Sequence, residues 1–341
     1  MKMLKENDDQ PIDLYWRSLI LYGANVATYK FSLAKSLLEF ATSGKSLLSL
    51  DEIALPFSKN MCEHIKTGKM QCTNNVSSYI DACSAFNREA ITLDMLIEET
   101  KTTGFRYVLD AFHALNGGQI KEKFYVIQGS GKKRQIELTD NLFKLAQSLQ
   151  FANLEPEVNA RWILIEDTWT FNNGKVLSPV LFDIDTKKLY IEDRTTYRRD
   201  LTAAKYALIG YQKGKCFYCL TDIYINEESK SEVDHFIPFT LRYKTNLNLN
   251  AVWNLVISCE QCNRGIGIGK FAAIPKMKYL ERLNKRNNYL INSHHPLSNT
   301  LISQTGSNDT VRGKFLMDVY TFALNNIKEV WEAYLEFDCN F

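Results

Sequence analysis

Four of the eight cysteines fall within residues 213–270 as two C-x-x-C pairs, Cys216/Cys219 and Cys259/Cys262. Two thiolates on one tight turn supply half of a four-sulfur shell, so together the pairs suit a structural, tetrahedral Zn²⁺. Between them run Val233-Asp234-His235 and Trp253-Asn254-Leu255-Val256-Ile257, and Asn263 directly follows the last cysteine. Histidine is the side chain whose ordinary pKa lets it take a proton near neutral pH, which makes His235 the candidate general base. On a strand, its neighbour Asp234 points to the opposite face and is left to bind a cation. Asn263, in the first turn of a following helix, offers a second oxygen. A carboxylate and an amide oxygen are hard donors, suited to Mg²⁺ or Mn²⁺ rather than to a tightly held catalytic zinc.

In the order cysteine pair, Asp-His, Asn, cysteine pair, Asn, these residues resemble the HNH family of nucleases (the ββα-metal, or His-Me finger, fold), in the branch clamped by a four-cysteine zinc. The family pattern is Asp-His, a middle Asn in an Asn-Leu-Val stretch, and a final His or Asn opening a helix. Here it is met by Asp234-His235, Asn254-Leu255-Val256 and Asn263. The last position is Asn, as in the HNH domains of RNA-guided nucleases. The likeness spans about 60 residues and leaves the rest of the chain unassigned. It implies a metal-dependent DNA endonuclease of bacterial restriction or anti-phage defence. His235 would activate water, and one Mg²⁺ on Asp234 and Asn263 would face the scissile phosphate and the departing 3′-oxygen. Asn254 would brace the loop carrying the base, and the zinc would be purely structural. Arg264 and Lys270, just beyond the metal ligand, are candidate phosphate clamps. The implied partners are DNA, a partner protein of the defence system, and a second copy where both strands are cut. Two alternatives stay open: a zinc-stabilised nucleic-acid-binding module with a dormant, partner-activated centre, and an RNA-cleaving toxin.

The chain has 341 residues, 45% hydrophobic and 23% charged, enough to build a real core in one or two domains. No stretch reaches the roughly 18 apolar residues of a membrane span, and the acidic N-terminus lacks the apolar core of a signal peptide. Cys62, Cys72, Cys83 and Cys339 are scattered; with the paired cysteines they suit a reducing cytoplasm better than a disulfide framework. Net charge is +2, but residues 205–290 carry 13 Lys/Arg against 7 Asp/Glu, or +6, leaving −4 for the remainder. That asymmetry turns a basic face of the central region towards an anionic partner.

The elements around these residues read as mainly α with small β hairpins (α+β). Residues 1–200 are expected to form a mostly helical region, 201–290 the nuclease module, and 291–341 a C-terminal helix packing back on the N-terminal region. Residues 11–42 read as a short and a long helix, with Val26, Tyr29, Leu33 and Leu37 at helical spacing and a break at Gly23-Ala24-Asn25. Ser49 to Glu52 read as a helix cap. Helix, hairpin and helix over 101–150 is the order of a winged element, with Lys132, Lys133 and Arg134 at its tip. A helix is expected over 155–174, and a second hairpin over 179–193, with Asp183, Asp185, Glu192 and Asp193 on its wet side. Residues 194–214 read as a helix feeding the first cysteine pair, with Arg194, Arg198 and Arg199 bordering a nucleic-acid path. Residues 276–291 read as a basic helix, and 310–337 as the closing one. Cys62, Cys72 and His64 lack the spacing of a second metal site, as does the His294-His295 pair. GIGIGK (Gly265 to Lys270) matches neither phosphate-loop fingerprint and reads as flexible backbone.

Overall fold

Ser49 and Glu52 show how the first helices are set. The Ser49 hydroxyl accepts from the Glu52 N–H while the Glu52 carboxylate accepts from the Ser49 N–H, a reciprocal cap that starts the helix Leu50–Ile65. The computed structural model describes residues 11–22, 26–73, 77–115, 118–171, 180–192, 198–225, 231–292 and 296–337. The chain divides into two compact units, residues 1–173 and 174–341.

In the first unit the helices Ile12–Tyr22, Tyr29–Phe40, Leu50–Ile65 and Phe151–Phe171 enclose a core rich in aromatic rings, among them Trp16, Phe31, Phe57 and Trp162. Phe57 meets Phe105 edge-on at 4.9 Å and Tyr79 at 5.8 Å, arrangements that aromatic quadrupoles favour. The Arg17 guanidinium is buried and paired bidentately with Glu157 at 2.8 Å through each nitrogen. Val26, expected in the apolar stripe of the second helix, is exposed because that helix starts only at Tyr29. The expected hairpin forms from Tyr125–Gln128 and Gln135–Leu138, and Leu47–Ser49 adds a third antiparallel strand. At its tip Arg134 pairs with Asp110 at 2.9 Å. His64 stacks on Trp162 at 3.6 Å and lies 2.7 Å from Glu166, a packing role.

The second unit holds the whole candidate site. Val180–Phe182, Lys188–Glu192 and Arg198–Ala203 form a three-stranded antiparallel sheet. Within the helix expected over 194–214, residues 198–203 instead form a strand, and helix begins at Ala204–Ile209 and continues as a 3-10 turn at Gly210–Gln212. The free edge of Lys188–Glu192 takes up the backbone of 198–203, and such pairing overrides local helical preference. Asp183 is not on the wet side of the hairpin: it is buried and accepts from the N–H groups of Asp185 (2.7 Å) and Thr186 (3.1 Å), closing the turn. Asp193, Arg194, His294, His295 and Cys339 lie outside the described residues, as do the side chains of Glu192, Arg198 and Arg199.

Next come the C-x-x-C turn and an antiparallel hairpin, Ser231–His235 with Leu255–Cys259, which runs into the short helix Glu260–Arg264. Helices Met277–Asn292, Ser298–Thr305 and Asp309–Asn326 follow. The closing helix ends at Asn326, short of residue 337. Ile327 is extended (φ −128°), and Val330–Trp331 pairs in parallel with Ile274–Pro275. That helix packs on the two preceding helices of its own unit, where Leu316, Val319, Tyr320 and Ala323 are buried. No described helix is long and apolar enough to cross a membrane.

Candidate functional site

The sulfur atoms of Cys216, Cys219, Cys259 and Cys262 all lie within 4.8 Å of one another. A tetrahedron with bonds of about 2.3 Å has edges of about 3.8 Å, and Cys219 Sγ lies 3.7 Å from Cys259 Sγ. Local backbone makes this cluster. The first turn is closed by Leu220 N–H on Cys216 O (3.1 Å), with Leu220 left-handed at φ 66°. Phe217 N–H donates to Ile257 O (2.9 Å), and the Gln212 amide clasps both the N–H and the carbonyl of Ile257 at 2.8 Å, fixing the turn to the hairpin. Cys259 N–H points at Cys216 Sγ (3.3 Å). Hydrogen bonding with the Cys216 thiol lowers the pKa of Cys219 and of Cys259, the latter to about 7, while burial raises that of Cys216 and hydrogen bonding with Cys216 raises that of Cys262, so the four thiols share their protons as one group. Four soft donors in this geometry fit zinc.

On the hairpin, Asp234 pairs with Val256 and His235 with Leu255, and their side chains take different partners. The Asp234 carboxylate is buried, accepting from the Tyr218 hydroxyl (2.6 Å) on one oxygen and facing the Lys270 ammonium (3.1 Å) with the other. His235 Nε2 lies 2.8 Å from Asn250 Oδ1, and its ring packs beside Phe239 (5.1 Å) and Phe182 (6.0 Å). Asn250 is placed in turn by its carbonyl, which accepts from Phe182 N–H at 3.0 Å. Burial lowers the His235 pKa below its ordinary 6.5, and the positive charges of Lys270 and Lys187 act in the same direction. The hydrogen bond with Asn250 and the charge of Asp234 oppose the shift without reversing it. The imidazole is therefore neutral at pH 7, the state a general base requires.

Asn254 is fully buried and spends its whole amide on backbone. Its oxygen accepts from Ile237 N–H (2.7 Å), and its nitrogen donates to Ile237 O and Leu249 O (both 2.9 Å). Those bonds pin both ends of the 236–254 loop next to His235. Asn263 donates its amide to Glu232 Oε2 (2.8 Å), one strand period from Asp234 and on the same face. Arg264 is exposed and pairs with Glu232 at 2.7 Å.

Lys270 is not a surface clamp. Its side chain is 0% exposed, and the ammonium donates to Asp234 Oδ1, His235 O (2.9 Å) and Phe271 O (3.4 Å). The loop turns back so that Lys270 N–H reaches Cys262 O (2.7 Å), which carries the side chain inward. Nor is the 277–292 helix a free basic face. Arg282 donates to the carbonyls of Phe217 (2.6 Å) and Tyr218 (2.9 Å), and Arg286 to that of Leu255 (2.7 Å).

Three residues at this site escaped sequence reasoning. Glu232 is legible in hindsight from its two-residue offset from Asp234. Tyr218 lies inside the first C-x-x-C turn, but nothing local marks its hydroxyl for Asp234. Asn250 reaches His235 through a long loop and leaves no signal. Comparison with protein-family models, curated proteins and solved structures gives no match in any of the three, so a functional reading rests on the residues themselves.

Proposed function

We propose that the second unit is an HNH-like, metal-dependent endonuclease centre that hydrolyses DNA phosphodiester bonds, built on a ββα finger with a structural four-cysteine zinc. One observation carries this reading: His235, kept neutral by burial and oriented by Asn250, sits on a strand whose opposite face bears a buried carboxylate already holding a cation. His235 takes a proton from water and the resulting hydroxide oxygen bonds to phosphorus. The bond from phosphorus to the 3′-oxygen breaks, and that oxygen leaves with a proton from solvent.

The Lys270 ammonium, cradled by Asp234 Oδ1 and two carbonyls, shows that the oxygen face accepts positive charge. Asp234 and the Asn263 amide oxygen are the hard donors for Mg²⁺ or Mn²⁺ in this reading, in competition with Lys270 for the carboxylate. A bound divalent ion would supply charge neutralisation at the phosphate and the leaving oxygen. Asn254 holds the loop that carries His235, and the thiolate cluster fixes the strand to the helix of a finger too small for a core of its own.

Incubation of the full chain with supercoiled plasmid and Mg²⁺ tests this, beside His235→Ala. The parent is expected to nick and the variant to lose at least 100-fold in rate; equal cutting would remove His235 from the mechanism. One observation favours a second reading, a dormant centre: both Asp234 oxygens are engaged by protein groups. Cutting that appears only with a partner protein or small-molecule signal would identify it. An RNA substrate run in parallel separates a ribonuclease from either.

A further inference from the structure

The loop from Arg264 to Phe271 is stiff and apolar at its tip. Gly269 N–H donates to Gly265 O (2.7 Å), Phe271 N–H to Asn263 O (2.8 Å), and the Trp331 indole to Ile268 O (2.7 Å). Gly265 and Gly269 are required by close approach of the backbone to itself. A Cβ on Gly265 would lie 2.6 Å from Gln261 O, and one on Gly269 2.5 Å from Gly265 N. The GIGIG run is thus tied down by backbone hydrogen bonds and by close approach of the chain to itself at Gly265 and Gly269. It holds Ile266 99% exposed, with Ile268 and Phe271 also in solvent. A tied loop cannot fold these side chains inward, and rigidly presented apolar groups beside a site mark a contact surface.

The position of the loop narrows what it contacts. Phe271 O and His235 O share the Lys270 ammonium, so the loop abuts the backbone of the candidate base. Arg264 opens the loop. On the ring side of His235, Arg242 lies 4.4 Å over Phe239 and 4.0 Å over Tyr243, whose ring is exposed. Residues 205–290 carry 13 Lys/Arg against 7 Asp/Glu; with Lys270, Arg282 and Arg286 turned inward and Asp234 buried, 10 remain against 6, and the surroundings still favour a polyanion. Branched apolar side chains on a rigid arm suit separation of stacked bases, as DNA-bending proteins do.

We propose that the 264–271 loop is a wedge for duplex DNA: Ile266 and Ile268 enter a base step beside the phosphate to be cut, while Arg264 and Arg242 take flanking phosphates. The choice of phosphate rests on the nuclease reading; the wedge itself does not. Opening the step bends the backbone and turns one phosphate towards His235.

The test uses full-length His235→Ala protein and a short duplex with 2-aminopurine at successive positions, a base whose fluorescence rises on unstacking. Saturating protein is expected to raise the signal at one or two adjacent positions at least threefold. Ile266→Ser/Ile268→Ser, with unchanged zinc content and melting temperature, should leave it flat, and Ile266→Val should keep it. No rise with the parent, an equal rise with the serine variant, or failure to bind duplex overturns the wedge. So does a dimer that the serine variant dissociates without any fluorescence change, since the loop would then cover a second copy. A rise from a chain that never cuts would leave the wedge standing and sink the nuclease reading; cutting without a rise would do the reverse.

Discussion

Lys270 and Asp234 form a buried ion pair in the second unit, with the ammonium 3.1 Å from the carboxylate. Removing one partner of a buried pair leaves an uncompensated charge, at a cost of about 3–5 kcal/mol. Lys270→Met is therefore expected to lower the melting temperature sharply. Mn²⁺ should restore more stability to that variant than to the parent, since the ion then meets no competing ammonium. Calorimetry with and without Mn²⁺ checks both. At His235 the folded-state pKa is lowered, so the unfolded chain takes up the proton first as pH falls. The stability from keeping this ring neutral is present above pH 6.5 and is lost as pH falls towards the depressed folded value. Cleavage, which needs the neutral ring, should fall off on the acid side with a midpoint below 6.5. A pH–rate profile at fixed divalent ion tests this; a midpoint above 6.5 would contradict it.

The 236–254 loop is long and mostly irregular, and a single residue fastens both of its ends. Asn254→Ala strands the N–H and carbonyl of Ile237 and the carbonyl of Leu249. With unsatisfied buried groups costing about 1–3 kcal/mol each, part of it recovered by relaxation, a loss of about 3 kcal/mol is expected. Asn250 sits near the end of the same loop, so His235 should lose its orientation too. Denaturant melts together with nicking rates would show both losses; a variant as stable as the parent but inactive would assign Asn254 a chemical role instead. The strand carrying Asp234 and His235 was legible in the sequence, while its hairpin partner Leu255–Cys259 came only with the ββα fold that the resemblance implies. The strand 198–203 and the end of the last helix were not legible, because each is settled by a partner edge far away in the sequence: Lys188–Glu192 in one case and Ile274–Pro275 in the other.

Each unit has buried apolar side chains of its own, and among the described residues the thiol cluster lies in the second. Thermal unfolding is accordingly expected in two steps. A strong chelator should lower one of them by 10 °C or more and spare the other, since metal bound only to the folded state stabilises just the unit that contains it. Scanning calorimetry with metal analysis decides this, and a single transition unaffected by chelation would remove the zinc. The four thiols and the Asp-His pair could be read from the sequence because a C-x-x-C turn and a strand's alternation are local geometry, fixed within a few residues. The resemblance to the HNH pattern also marked Asn254 and Asn263 as residues of interest. Folding alone decided that Lys270 would face Asp234 and not solvent, that Tyr218 would close the other oxygen, and that a glycine-rich run would become a rigid apolar tip. Those outcomes depend on burial and on backbone meeting backbone across many residues, and no spacing along the chain records them.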